Sequence, residues 1–179
     1  MTLPPLVARA KEAADELAYA KSCRDEDGML VHVLAGRSGI ERVAQIGTGT
    51  GIGTAWLASA LPPRVPLVTA ERDERLAGAA AELFADDPDV VVLHGDWRAV
   101  LPAHAPFDLI FVDGGRAKED PDAVLALAAP GATLVLDDVS ADWQRPDVRR
   151  DGWLAHPRLA AVELGTGQAV RVIVAVVRR

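Results

Sequence analysis

Between Arg42 and Asp138, five short apolar runs alternate with helix-like segments, and each run ends in a glycine-rich loop or a carboxylate. Arg42-Val43-Ala44-Gln45-Ile46 enters Gly47-Thr48-Gly49-Thr50-Gly51-Ile52-Gly53, Pro66-Leu67-Val68-Thr69-Ala70 ends at Glu71, and Val90-Val91-Val92-Leu93 leads to Gly95-Asp96-Trp97. Residues 107–112 end at Asp113 and residues 133–136 at Asp137-Asp138. Near-continuous apolar strands separated by helices predict a parallel sheet covered on both faces. In an open parallel sheet, ligands bind beyond the carboxyl ends of the strands. The pattern therefore gathers one glycine loop and several acids along one edge.

The intervening helices are expected at 54–61, closed by Pro62-Pro63, at 74–84 and at 121–128, the last followed by a Pro130-Gly131 turn before the fifth strand. Ahead of the sheet, Leu6, Ala10, Ala13, Ala14 and Leu17 recur at helical spacing, and a second apolar-sided helix runs from about Asp27 to Gly36. After it, runs at 159–164 and 170–177 are separated by a short Gly165-Thr166-Gly167-Gln168 turn. Parallel neighbours need a crossover of a dozen or more residues, so these two must pair antiparallel as a hairpin. The stretch 140–157, rich in Asp, Arg, Trp and Pro, reads as a site-covering loop.

A chain of 179 residues with half its residues hydrophobic fits one domain, with residues 1–40 as a helical N-terminal segment and 41–179 as the ligand-binding core. Nineteen basic against 26 acidic residues give a net charge of −7, which disfavours a general nucleic-acid binder. Sixteen of the 19 are arginines, so no arginine is weighted for its type alone. Cys23 is the only cysteine, which excludes an intrachain disulfide or a cysteine-based zinc site. The start, Met1-Thr2-Leu3-Pro4-Pro5, lacks the basic and apolar regions of a signal peptide, and no apolar run approaches the roughly 20 residues of a membrane span. A cytoplasmic protein is expected, without membrane or nucleic-acid partners.

The glycine loop allows close approach of a ligand to backbone, but its spacing fails the strict dinucleotide pattern: counted from Gly47 the third glycine position is Ile52, and counted from Gly49 it is Thr54. That spacing, with the terminal hairpin, argues against a nicotinamide-dependent oxidoreductase. Glu71, ending the second strand, suits a ligand with a ribose, whose two hydroxyls a carboxylate can accept. His32, His94, His104 and the four tryptophans read as structural or loop residues.

Together, Gly47 to Gly53, Glu71 and Asp96 resemble the cofactor site of class I S-adenosylmethionine-dependent methyltransferases. Gln45-Ile46-Gly47-Thr48, Gly95-Asp96-Trp97, Asp113 and Asp137-Asp138 narrow the resemblance to the catechol and caffeoyl-CoA type of O-methyltransferase, as do Gly28 and Leu30 before the loop and Trp153 to Arg158 after it. The resemblance implies an α/β Rossmann-like fold with a mostly parallel seven-stranded sheet, a C-terminal antiparallel hairpin and helices on both faces. It implies cofactor contacts by Gly47, Thr48, Gly49, Gly53, Glu71, Arg72, Gly95, Asp96, Trp97 and Asp113. Asp96 has a second reading, as the cap of a short helix starting at Trp97.

By the same resemblance, Asp113, Asp137 and Asp138 would bind a divalent cation, Mg²⁺ or else Ca²⁺ or Mn²⁺, and Asp113 would take part in catalysis. Three departures stand against the family pattern: Asp138 for the usual Asn, Gln45 for the usual acid, and Arg116 where the catechol enzymes carry a base lysine. Arginine, with a pKa above about 12, cannot serve as that base. The expected activity is methyl transfer to an oxygen of a small hydroxylated acceptor. The alternatives are a metal-independent methyltransferase, with Trp143 and Trp153 lining its pocket, or a non-catalytic S-adenosylmethionine-binding module. Because the apolar face of the first helix has little else to cover in a short chain, a homodimer is also expected.

Overall fold

Strand order follows from how each apolar run finds cover on both faces. A computed structural model describes residues 3–21, 23–139, 148–167 and 170–178. Seven strands, β1 (Val43–Ile46), β2 (Leu67–Glu71), β3 (Val90–His94), β4 (Phe107–Val112), β5 (Ala128–Val139), β6 (Leu159–Gly167) and β7 (Val170–Val177), form one sheet in the order β3-β2-β1-β4-β5-β7-β6. The first five run parallel; β7 pairs antiparallel with both β5 and β6. Successive side chains of β4 point to opposite faces, as a strand requires. Leu109 and Phe111 enter one core with Trp56, Leu57 and Phe84, while Ile110 and Val112 enter the other with Trp97, Leu101 and Trp153. All four residues of β1 are buried.

The first core is roofed by α1 (Pro5–Glu16), α2 (Asp25–Ala35), α3 (Ile52–Ala58) and α4 (Glu74–Leu83). Pro5 starts α1 at a position where a missing N–H costs nothing. Val7, Ala10 and Ala14 form its buried stripe, which packs on α3 and α4. The face assigned to a dimer partner is thus covered by the chain itself, and that argument for a homodimer is withdrawn. His32 donates or accepts at Trp56 O (3.0 Å) and meets the Trp56 ring edge-on, a structural role as expected.

Several boundaries differ from the sequence expectation; the helix expected at 54–61 is α3, Ile52–Ala58, and the strand expected at 159–164 extends to Gly167. The helix after β4, α6 (Pro121–Leu125), ends early, and β5 takes in Pro130-Gly131. Phe107 pairs with Ala128, but Leu109 pairs with Thr133, so the extra residues of β5 bulge out of register with Gly131 at φ +83°. Within the loop expected at 140–157, residues 148–154 form a helix, α7 (Val148–Leu154); residues 140–147, with Trp143, lie outside the described residues. Trp153 is buried in the core rather than lining a pocket, because its indole finds an acceptor at Lys118 O (2.9 Å). The remaining helix, α5 (Trp97–Val100), follows β3. Among the described residues no helix is long and apolar enough to cross a membrane.

Candidate functional site

β1 has β2 on one side and β4 on the other, so the chain leaves its carboxyl end at the switch point of the sheet. A cleft of about 1010 Å³ opens there. Every residue expected to contact cofactor lines it: Gly47, Thr48, Gly49, Gly53, Glu71, Arg72, Gly95, Asp96, Trp97 and Asp113.

The loop after β1 turns through three glycines with positive φ, Gly47 (+89°), Gly49 (+55°) and Gly51 (+98°), which side-chain-bearing residues rarely adopt. Gly47 is also required by contact, since a Cβ there would lie 2.5 Å from Gly114 Cα. Below the loop, the Thr48 and Thr69 hydroxyls share a hydrogen bond (2.6 Å). Gln45, fully buried, donates from Nε2 to Gly47 O (2.8 Å) and accepts at Oε1 from the Thr54 hydroxyl (2.7 Å). Its Nε2 also lies 3.5 Å from Asp113 Oδ2, so one amide links the loop to the end of β4.

Among the described residues, Glu71 is held by backbone amides. Its Oε2 accepts from Gly49 N–H (2.9 Å), and its Oε1 accepts from Arg72 N–H (2.8 Å) and Asp73 N–H (2.9 Å). A carboxylate offers about four acceptor sites, so the three amides leave one, on Oε2, for a hydroxyl donor from the cleft. Next to it, Gly95 N–H donates to Glu71 O (2.8 Å), which sets β3 beside it. Asp96 does cap α5, accepting from Arg98 N–H at 2.9 Å, and it also lines the cleft, so its two readings coexist. Trp97 is buried, with the Arg98 guanidinium 4.3 Å over its ring.

At the other end of the cleft, the carboxyls of Asp113 and Asp137 come within hydrogen-bonding reach of each other. Burial, then the charge of Asp137 and hydrogen bonding to it, push the Asp113 carboxyl well above the usual carboxylate range, opposed by Lys118. The Lys118 ammonium donates to Asp137 Oδ1 at 2.7 Å. Lys118 reaches inward because residues Gly115–Glu119 form a 3-10 turn. Residues three apart stack in such a turn. Arg116 and Glu119 therefore share the outer side, where they pair at 3.5 Å with the Arg116 side chain 80% exposed, and Lys118 is left to the inner one. Arg116, compared above with the family's lysine, lines the cleft as well, and Lys118 is the lysine that meets its carboxylates. The side chain of Asp138 lies outside the described residues.

The sequence also gave no sign of the wall formed between α1 and α2. Ala18 closes α1 with φ +50°, and Tyr19, Lys21, Cys23 and Arg24 then line the cleft. Burial raises the Tyr19 hydroxyl and, more strongly, the Cys23 thiol, and in both cases nearby carboxylates add to the effect. The only available signal was the weak one of a polar segment between two amphipathic helices.

The fold is an open α/β sheet with its ligand cleft at the β1 switch point, where such sheets bind ligands. Residues 44–139 match the family model described as a methyltransferase domain, and the chain belongs to that family. It is 34% identical over 147 residues to a catechol O-methyltransferase of Mycobacterium tuberculosis, covering 75% of this chain and 65% of the relative. It is 29% identical to a catechol O-methyltransferase of Niastella koreensis, covering 76% and 66%. The chain thus spans slightly less than two thirds of these relatives' length. Among solved structures, the O-methyltransferase TomG of Streptomyces achromogenes, in complex with SAM, superposes with TM-score 0.78 at 28% identity, covering 99% of this chain and 92% of that one. The cofactor-bound protein Rv0187 from MTB gives TM-score 0.84 at 28% identity, covering 99% and 91%.

Proposed function

We propose that this chain binds S-adenosylmethionine across the glycine loop and transfers its methyl group to an oxygen of a small hydroxylated acceptor. The observation that carries this reading is Glu71, immobilised by three backbone amides beside the loop with one acceptor site left on Oε2 for a ribose hydroxyl. The cleft, at about 1010 Å³, lies at the upper end of the ~300–1,000 Å³ range of small-molecule sites, which suits a large nucleoside cofactor. The cofactor supplies an electrophilic methyl on a sulfonium. The chain supplies alignment: the Gly47 to Gly53 loop and Glu71 hold one partner, and the Asp113, Asp137 and Lys118 end of the cleft receives the other.

The divalent cation implied by the resemblance does not fit the described donors. Asp113 and Asp137 are engaged with each other, and Asp137 already holds an ammonium at 2.7 Å. The described residues, which leave out the Asp138 side chain, contain no group of three His, Cys, Asp or Glu that could hold a metal. No step is therefore assigned to a metal.

Calorimetry with S-adenosylhomocysteine tests the cofactor reading, with NADH as the control ligand. Glu71→Ala should weaken S-adenosylhomocysteine binding by about tenfold to a hundredfold, the worth of hydrogen bonds to a charged acceptor. Unchanged affinity in the variant, or preference for NADH, overturns the reading. Homodimer formation stands as a separate proposal: light scattering at twice 18.9 kDa supports it, and 18.9 kDa at micromolar concentration overturns it.

A further inference from the structure

We propose that Lys118 supplies from within the chain the positive charge at the acceptor end of the cleft, and that its ammonium excludes a divalent cation from the Asp113 and Asp137 pair. The inference gives the ammonium its chemical meaning through the methyl-transfer reading, but its test does not depend on turnover.

The ammonium is a built feature. Its nitrogen lies 2.7 Å from Asp137 Oδ1, with the two side chains only 15% and 8% exposed. The turn that carries it is anchored on both sides: Ala117 is fully buried in the core, and the buried Trp153 indole donates to Lys118 O at 2.9 Å. Lysine is a compact point charge with three donors. One is used on Asp137, and no other partner is found among the described residues, while Lys118 lines the cleft. An acceptor oxygen entering this end would meet the remaining N–H groups, which stabilise negative charge as it develops on that oxygen. Arg116 also lines the cleft, but its side chain is 80% exposed and pairs with Glu119 at 3.5 Å, whereas Lys118 is shielded against Asp137.

The same geometry opposes a metal. A cation bound by Asp137 would sit within a few ångströms of the ammonium, and like charges at that range in a partly buried site repel strongly. The ion would have to displace Lys118 from a short, shielded contact. Neutralising Lys118 should therefore free the two carboxylates for an oxygen-seeking ion such as Mn²⁺. A lysine with a merely structural role would not produce a gain of metal binding when removed.

The experiment is an Mn²⁺ titration, read by the loss of the free-ion electron paramagnetic resonance signal, with S-adenosylhomocysteine present. It compares the unaltered chain, Lys118→Met and Lys118→Arg. The unaltered chain should bind Mn²⁺ no more tightly than about 1 mM, the weak end of the range for oxygen-ligand sites. Lys118→Met should bind at least about tenfold more tightly, and Lys118→Arg, which keeps the charge, should behave as the unaltered chain. Mn²⁺ binding by the unaltered chain tighter than about 0.1 mM overturns the inference, as does a Lys118→Met variant with no gain. A thermal shift by S-adenosylhomocysteine checks that each variant keeps its fold, with Lys118→Gln replacing Lys118→Met if that shift is lost. Should both neutral variants lose it, the unaltered chain decides alone by the same thresholds. If the unaltered chain shows no such shift, the methyl-transfer reading fails, and the Mn²⁺ result still judges the ammonium.

Discussion

Gln45 uses both ends of its amide inside the protein, on Gly47 O and on the Thr54 hydroxyl, where the resemblance leads one to expect an acid. A neutral amide is what this position can tolerate, given the buried carboxyls of Asp113 and Asp137 nearby. Asp113 itself yields a prediction at this scale. In the folded chain it keeps a proton at pH values where the unfolded chain, with an Asp pKa of about 3.9, has released it. The folded state then binds more protons, so this residue's contribution is fully present below the unfolded pKa and is lost as pH rises through the folded one. Asp113→Asn removes that slope while keeping a donor for Asp137. In EDTA-containing buffer, the urea midpoint of the variant should gain on that of the unaltered chain between about pH 4 and about pH 8. A constant difference across that range would show that the carboxyl is not held up. Which cationic side chain pairs with Asp137 was not legible in the sequence, because the answer depends on a 3-10 turn. Counting from Asp113 selects Arg116, whereas the turn sends Lys118 inward.

At the level of elements, the packing of α2 on α3 depends on a missing side chain. A Cβ at Gly28 would overlap the buried Trp56 indole, whereas a Cβ at Gly78, on the exposed side of α4, would meet nothing within 4 Å. The same substitution should therefore have opposite signs. Gly78→Ala should stabilise by about 0.5–1 kcal/mol through helix propensity. Gly28→Ala should destabilise by about 1–3 kcal/mol or more, since rigid backbone and a large ring must both move. Paired urea melts of the two variants check this, and a stabilising Gly28→Ala would show that α2 can slide freely on α3. The five parallel strands and the hairpin were readable because their apolar runs are short, sharply bounded and too close in the tail for a crossover. The bulge in β5 and the helix α7 were not, since both follow from register and tertiary burial, at Phe107 against Ala128 and at Trp153 in the core.

Across the whole molecule, the acids and glycines reach one edge because parallel strands share a direction, whatever their order in space. That edge was therefore legible before the strand order was. The wall from Tyr19 to Arg24 was not, because it depends on how the roof helices settle over the sheet. Ligand binding across this edge engages the β1, β2 and β3 ends at once and should stabilise the fold globally. S-adenosylhomocysteine at about a hundred times its Kd should add about 2.7 kcal/mol and raise Tm by roughly 5–10 °C. A scan without any shift at saturating ligand would contradict a site shared among those strands. The contact between Gly47 and Gly114 has a mechanical consequence. The loop after β1 touches, backbone to backbone, the residue that begins the turn carrying Lys118. No side chain lies between them to act as a compliant spacer, and close-packed backbone transmits displacement instead of absorbing it. The two halves of the cleft are geared together, so a cofactor that shifts the loop shifts the ammonium with it.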